Sequence, residues 1–175
     1  MTSSPTNEVC DGCGFVYDTT AARRAAGEIT RFAEQLAAVL EAGGANLARR
    51  LAPATWSVLE YCCHVRDVLL VQRERLLLAR RIDRPDFAPM GRDERVDHDG
   101  YAEQRPLDVA RQLRDATTLF AGVLARFDSE TWGRTAIYNY PAPTERSLAW
   151  IAVHTQHEVP HHLADVRAQV DNHGA

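Results

Sequence analysis

The sequence predicts an all-α protein, a four-helix bundle with long inter-helix loops. Three observations carry that expectation: four stretches with apolar residues at helical period, almost nothing with the alternation of a strand, and a length of 175 residues, which suits one domain. With 45% apolar and 25% charged residues the chain can bury one common core.

Met1 to Asp18 carries no helical period and reads as an N-terminal arm, with residues 19–175 forming the bundle. The first helix is expected from about Thr20 to Glu41, with Ile29, Phe32, Ala33, Leu36, Val39 and Leu40 on one stripe, ending at Gly43-Gly44. The second opens with Ser57-Val-Leu-Glu60, a pattern in which each side chain satisfies the other residue's free amide, and runs to about Ile82. It is apolar over most of its circumference, interrupted by Glu60, Asp67 and Glu74, and so belongs at the centre. A polar link, Asp83 to Arg105, follows; links of that length are usually functional or mobile. Pro106 suits a first helical turn and starts the third helix, which runs to about Phe127 through Val109, Leu113, Ala116, Phe120, Val123 and Leu124. A second loop, Asp128 to Thr144, holds Trp132, Tyr138, Tyr140, Pro141 and Pro143, and the fourth helix spans about Glu145 to Val170.

Composition excludes several functions. The formal charge is −4 and all 20 cationic residues are arginine, which removes lysine-based catalysis and a phosphate loop ending in Gly-Lys. Acidic and basic residues interleave, leaving no basic stripe for nucleic acid. No apolar run reaches the roughly 20 residues of a membrane span, and Met1 to Glu8 lacks a signal-peptide pattern, so a cytoplasmic protein without a membrane partner is expected. The cysteines form two tight pairs, Cys10/Cys13 and Cys62/Cys63, unlike a disulfide framework. Cys10-Asp-Gly-Cys13 has the form of half a zinc knuckle, yet no second half follows at knuckle spacing. It reads as structural or adventitious, with a redox or metal role as the alternative.

Four of the seven histidines, His154, His157, His161 and His162, fall within a short stretch of the last helix. His157 and His161 differ by about 40° around the axis and can reach one ion. A third ligand must come from another helix, and His64 lies at the edge of the inward arc of the second. Helices about 8–10 Å apart let imidazoles meet a common ion, so His64, His157 and His161 form the expected metal set. Three imidazoles with a position left open suit catalysis with zinc, nickel or iron(II). Asp165 and Asp67, one turn from His161 and His64, are candidates to hold the far ring nitrogens. His98, His162 and His173 read as satisfied surface or core residues, and His154 shares the ligand face without the four-residue spacing.

His157-Glu158-Val159-Pro160-His161 also satisfies the zinc-protease pattern H-E-x-x-H. Against it, Pro160 breaks an intrahelical hydrogen bond between the ligands, too little chain follows for a downstream glutamate ligand, and no strand edge is expected to hold a peptide.

Trp56-Ser57-Val58-Leu59-Glu60-Tyr61-Cys62-Cys63-His64-Val65-Arg66-Asp67 resembles the W-S-x-x-E-x-x-x-H-x-x-D segment on the second helix of the DinB-like superfamily. His157 to Asp165 resembles the H-x-x-x-H segment on that family's last helix. The resemblance spans about Thr19 to Val170 and implies a four-helix bundle with a divalent metal on His64, His157 and His161, often as a homodimer. Within the superfamily the chain looks most like the branch of S-transferases and isomerases that use mycothiol or bacillithiol. Its arginine-only, alanine-rich composition fits a GC-rich bacterial genome and so favours mycothiol.

The resemblance implies a chemistry: a thiol coordinated to a divalent cation is deprotonated and attacks an electrophilic small molecule. Glu158 is a possible proton acceptor, with solvated helix surface as its other reading. Arg92, Arg95, Tyr138 and Tyr140 are candidates to bind the polar thiol at the entrance. The alternatives are a non-catalytic, stress-related metal-binding module and a metal-dependent hydrolase or isomerase.

Overall fold

The computed structural model describes residues 8–44 and 46–173, with side chains as far as Val170; Met1–Asn7 of the expected arm lie outside the described residues. After the arm come a 3-10 turn Thr19–Arg24, α1 Ala25–Ala42, α2 Val58–Arg81, β1 Asp86–Phe87, α3 Arg92–His98, a 3-10 turn Tyr101–Glu103, α4 Pro106–Leu124, α5 Ser129–Gly133, β2 Thr135–Asn139, β3 Pro143–Ser147 and α6 Leu148–His173.

The four expected helices are α1, α2, α4 and α6. Both α1 and α2 pack against α4 and α6 and touch each other little, so α1 and α2 take opposite corners of the bundle. Burial follows the apolar stripes: Ile29, Leu36 and Leu40 of α1, Leu59, Leu69 and Leu76 of α2, Leu113 and Phe120 of α4, and Leu148 and Ile151 of α6 are almost fully buried. Removing such a side chain from water stabilises by roughly 1.5–3 kcal/mol each. None of the described helices is long and apolar enough to cross a membrane.

The expected start of α2 is present in full. Ser57 Oγ accepts from the Glu60 amide at 3.2 Å, and Glu60 Oε2 accepts from the Ser57 amide at 2.7 Å. Glu60 is buried and takes two further hydrogen bonds from Arg50 Nε and one from Arg50 Nη2, at 2.7–3.1 Å. Burial by itself raises its pKa, but four hydrogen bonds from three donors hold the carboxyl below the usual range.

Three expectations are corrected. The first helix begins as a 3-10 turn, with Asp18 Oδ1 accepting from the Thr20 amide, and becomes α-helical at Ala25. The fourth begins at Leu148, because Thr144–Ser147 belong to β3. The two long links carry structure of their own: β1, α3 and a 3-10 turn in the first, α5 and two strands in the second. Their strands form a three-stranded sheet, with β1 parallel to β2 and β2 antiparallel to β3. β1 has only two residues, β2 runs Ala136, Ile137 and Tyr138 in succession without apolar–polar alternation, and Pro141 and Pro143 around the β2–β3 turn read as loop. Burial alternates along β2, with Ala136 and Tyr138 turned inward. Pro160 sits inside α6, which is assigned as helix on both sides of it.

The arm packs on α6. Val9 pairs with Val16, the Cys10 amide donates to the Phe15 carbonyl at 2.9 Å, and the Gly14 amide donates back to the Cys10 carbonyl at 2.8 Å. Gly14 closes this turn at φ +70°, where a side chain would be strained. Glu8 anchors the hairpin by accepting from Trp150 Nε1 at 3.2 Å and pairing with Arg146 at 3.3 Å.

Candidate metal centres

α2, α6, the N-terminal hairpin, β2 and the segment entering α3 enclose a cavity of about 480 Å³. Its walls include His64 of α2, His154, His157, Glu158, His161 and His162 of α6, Cys10 and Tyr17 of the hairpin, Tyr138 of β2, and Arg92. All three expected ligands therefore line one cavity.

They do not form one tight group. His157 and His161 place ligand atoms within 4.8 Å of those of Cys10 and Cys13, whereas His64 does so with Glu158 and His162. Each step along a helix turns the side chain by about 100°, so 157/161 and 158/162 are two i, i+4 pairs on adjoining faces. One faces the hairpin and the other faces α2. Two overlapping groups, His154–His157–Glu158 and His161–His162–Asp165, also meet the distance condition. In both of these, ring nitrogens already have protein partners: Tyr17 Oη lies 3.0 Å from Nδ1 of His154 and of His157, and Asp165 Oδ2 lies 3.0 Å from Nδ1 of His162.

Among the described residues, the imidazole nitrogens that are buried without a hydrogen-bond partner are His64 Nδ1, His157 Nε2 and His161 Nδ1. His64 belongs to His64–Glu158–His162, and His157 and His161 occur together in Cys10–Cys13–His157–His161. Buried polar atoms are ordinarily satisfied, so these orphans mark where an external ligand fits.

Burial and mutual contacts set the charges of these groups. Burial, then the neighbouring His162, push His64 down to about 4, so it is neutral and free to ligate. Burial also opposes charge on His162, but hydrogen bonds to Asp165 and Glu158 hold its pKa up to about 9. Burial alone would raise Glu158; contacts with His157, His162 and His154 hold it well below the usual carboxylate range and so ionised. A neutral imidazole, a carboxylate and an imidazole whose far nitrogen is held by a carboxylate make a donor set suited to a divalent ion.

Several expected roles change. Asp165 holds His162 rather than His161. Asp67 does not hold His64: it accepts from Arg66 Nε at 2.7 Å and Tyr101 Oη at 2.6 Å, with Arg95 at 3.5 Å. Glu158 has only 20% of its side chain exposed and faces the cavity, so it is not solvated helix surface, and the partly buried His162 joins the cluster. The spacing signal for Glu158 and His162 was present, since they repeat the i, i+4 step of their neighbours; the direction of α2 decided between them. Tyr17 had no such signal. Arg92, Tyr138 and Tyr140 line the cavity, Arg92 stacking over the Tyr140 ring at 5.6 Å. Arg95 is not among its walls and instead ties α3 to Asp67 and the Met90 carbonyl.

No curated protein sequence matches the chain significantly. Among solved structures, YfiT from Bacillus subtilis superposes with a TM-score of 0.75 at 13% identity, over 98% of this chain and 94% of that one. YfiT is described as a probable metal-dependent hydrolase with an unusual four-helix bundle topology. At that identity the likeness concerns the fold. Residues 19–166 match the sequence model of the DinB superfamily, nearly the whole helical part of the molecule, and the chain belongs to that superfamily.

Proposed function

We propose that the protein is a metal-dependent S-transferase that joins a low-molecular-weight thiol, mycothiol by preference, to an electrophilic small molecule. One observation carries the reading: ligand atoms of His64, Glu158 and His162 lie within 4.8 Å of one another on the wall of a cavity of about 480 Å³. Three protein ligands are one short of a closed tetrahedral site, the arrangement of catalytic rather than structural centres. Zinc, nickel or iron(II) held there would supply Lewis acidity, lowering the pKa of a thiol or a water molecule into the neutral range.

The residues around the trio supply position and polarity. Asp165 fixes the His162 ring through Nδ1, leaving Nε2 turned to Glu158 at 3.6 Å. Tyr138 is buried and its hydroxyl accepts from Gln72 Nε2 at 2.8 Å, so it offers the cavity a fixed ring. Arg92 and the exposed Tyr140 offer N–H donors and an aromatic face to the polar part of a thiol at the mouth. Burial lowers His154, which keeps it neutral at physiological pH and excludes it as a standing cation.

The description of YfiT favours a second reading, in which the same trio serves hydrolysis. The test separates them. Protein reconstituted with zinc, nickel or iron(II) is mixed with mycothiol and a chromogenic aryl halide; sulfur bonds to the ring carbon, halide leaves and the thiol proton passes to buffer. Metal-dependent thioether formation, abolished by His64→Ala and Glu158→Gln, is expected. Thiol-independent cleavage of a chromogenic ester would assign a hydrolase instead, and bound metal without turnover across several thiols and electrophiles would leave a binding module.

A further inference from the structure

We propose a second metal site, a closed structural zinc centre in which Cys10 and Cys13 of the N-terminal hairpin and His157 and His161 of α6 are the four ligands. The half knuckle that lacks a partner in the neighbouring sequence finds it at the far end of the chain.

Four observations support it. Ligand atoms of the four residues all lie within 4.8 Å of one another. Tetrahedral zinc with bonds of about 2.3 Å to sulfur and 2.0–2.1 Å to nitrogen needs them about 3.3–3.8 Å apart, a contraction that side-chain rotation can deliver. His157 is 6% exposed, and its Nε2, like Nδ1 of His161, is buried with no hydrogen-bond partner. Both cysteines are free thiols. Gly12, between them, lies so close to α6 that a Cβ there would stand 3.2 Å from His161 Cε1, so the knuckle is seated on the imidazole it would share a metal with.

The surroundings prepare the ligands. Tyr17 Oη lies 3.0 Å from Nδ1 of both His157 and His154. A hydroxyl can accept from the first ring and donate to the second, fixing the His157 tautomer with its Nε2 lone pair free. Zinc binding displaces the two thiol protons to solvent and forms two Zn–S and two Zn–N bonds. With four protein ligands the centre has no open position, so its work is mechanical. It staples the hairpin to α6 and holds Cys10 and Tyr17 as cavity wall. The site uses none of the residues assigned to the catalytic trio.

The test uses the full chain, stripped of metal under reducing conditions and titrated with cobalt(II) and zinc. A sulfur-to-cobalt charge-transfer band is expected in the wild type. It is lost in the Cys10→Ser/Cys13→Ser double variant and retained in His64→Ala. Zinc is expected to protect both thiols from iodoacetamide, with alkylation sites read by mass spectrometry, a measurement that needs no variant to fold. Absence of the thiolate band, or equal alkylation with and without zinc, overturns the proposal. A band-bearing ion alone would sustain this site and sink the catalytic trio, and a band-free ion alone would do the reverse.

Discussion

Asp67 is where the bundle and the candidate site can be told apart. It lies one helical turn beyond His64, the position from which a carboxylate could orient that ring, yet its oxygens are taken by Arg66, Tyr101 and Arg95. Tyr101→Phe tests that assignment with little change of shape. The ring is fully buried and phenylalanine refills its volume, so no cavity term enters. What is lost is one 2.6 Å hydrogen bond to a carboxylate that is itself buried. Hydrogen bonds to charged groups contribute about 1.5–3 kcal/mol. Because Arg66 and Arg95 still face Asp67, the lower part of that range applies, about 1.5–2 kcal/mol. For a domain of this size this corresponds to a fall in Tm of about 3–8 °C. Thermal melting followed by circular dichroism reads the stability, and competition against a chelator reads metal affinity. Stability is expected to fall while metal affinity stays within about threefold. A tenfold loss of metal affinity with an unchanged Tm would refute the reasoning, for Asp67 would then act on the histidine cluster and not on the packing of α2 against Tyr101.

Two further outcomes follow from the charges. The folded protein holds the Glu60 carboxyl below its ordinary value of 4.5, so protonation favours the unfolded chain. The contribution of Glu60 is therefore present above that value and lost as pH falls below it through the lower folded value; urea midpoints should fall more steeply as pH drops below about 5 in the wild type than in Glu60→Gln, and parallel curves would contradict the assignment. Asp165→Asn should weaken metal binding at the His64–Glu158–His162 trio by about 10–100-fold, as loss of a group that orients a ligand does. The comparison belongs above pH 9, where the His162 proton, with a pKa of about 9, no longer competes with the metal; below that, wild-type affinity should drop as pH falls. Unchanged affinity in isothermal titration, done in the Cys10→Ser/Cys13→Ser background, would show that Asp165 does not orient His162.

The helical part of the fold is readable residue by residue because its signals are local. The Ser57–Glu60 cap, Pro106 at the start of α4 and the apolar stripes of α1 and α4 each act over one or a few turns, and each is found where its pattern stands. The sheet is not readable in this way. β1 is two residues long and its partner β2 lies about fifty positions away, so nothing within either segment announces the pairing. Asp67 illustrates the same limit inside a helix: its position relative to His64 is local, but its partners Tyr101 and Arg95 arrive from a link whose path depends on tertiary packing.

The candidate site divides along the same line. Sequence alone determined that histidines on α2 and α6 would share a cavity, because an amphipathic helix must turn one face inward and the 3.6-residue repeat dictates which residues share it. It could not decide which of two adjoining i, i+4 pairs meets His64, since that rests on how α6 is rotated against α2, about 100° separating one answer from the other. Nor could it join Cys10 and Cys13 to His157 and His161, residues from opposite ends of the chain. Helix rotation and long-range contact are settled by the packing of the whole core, and only the folded structure carries that information.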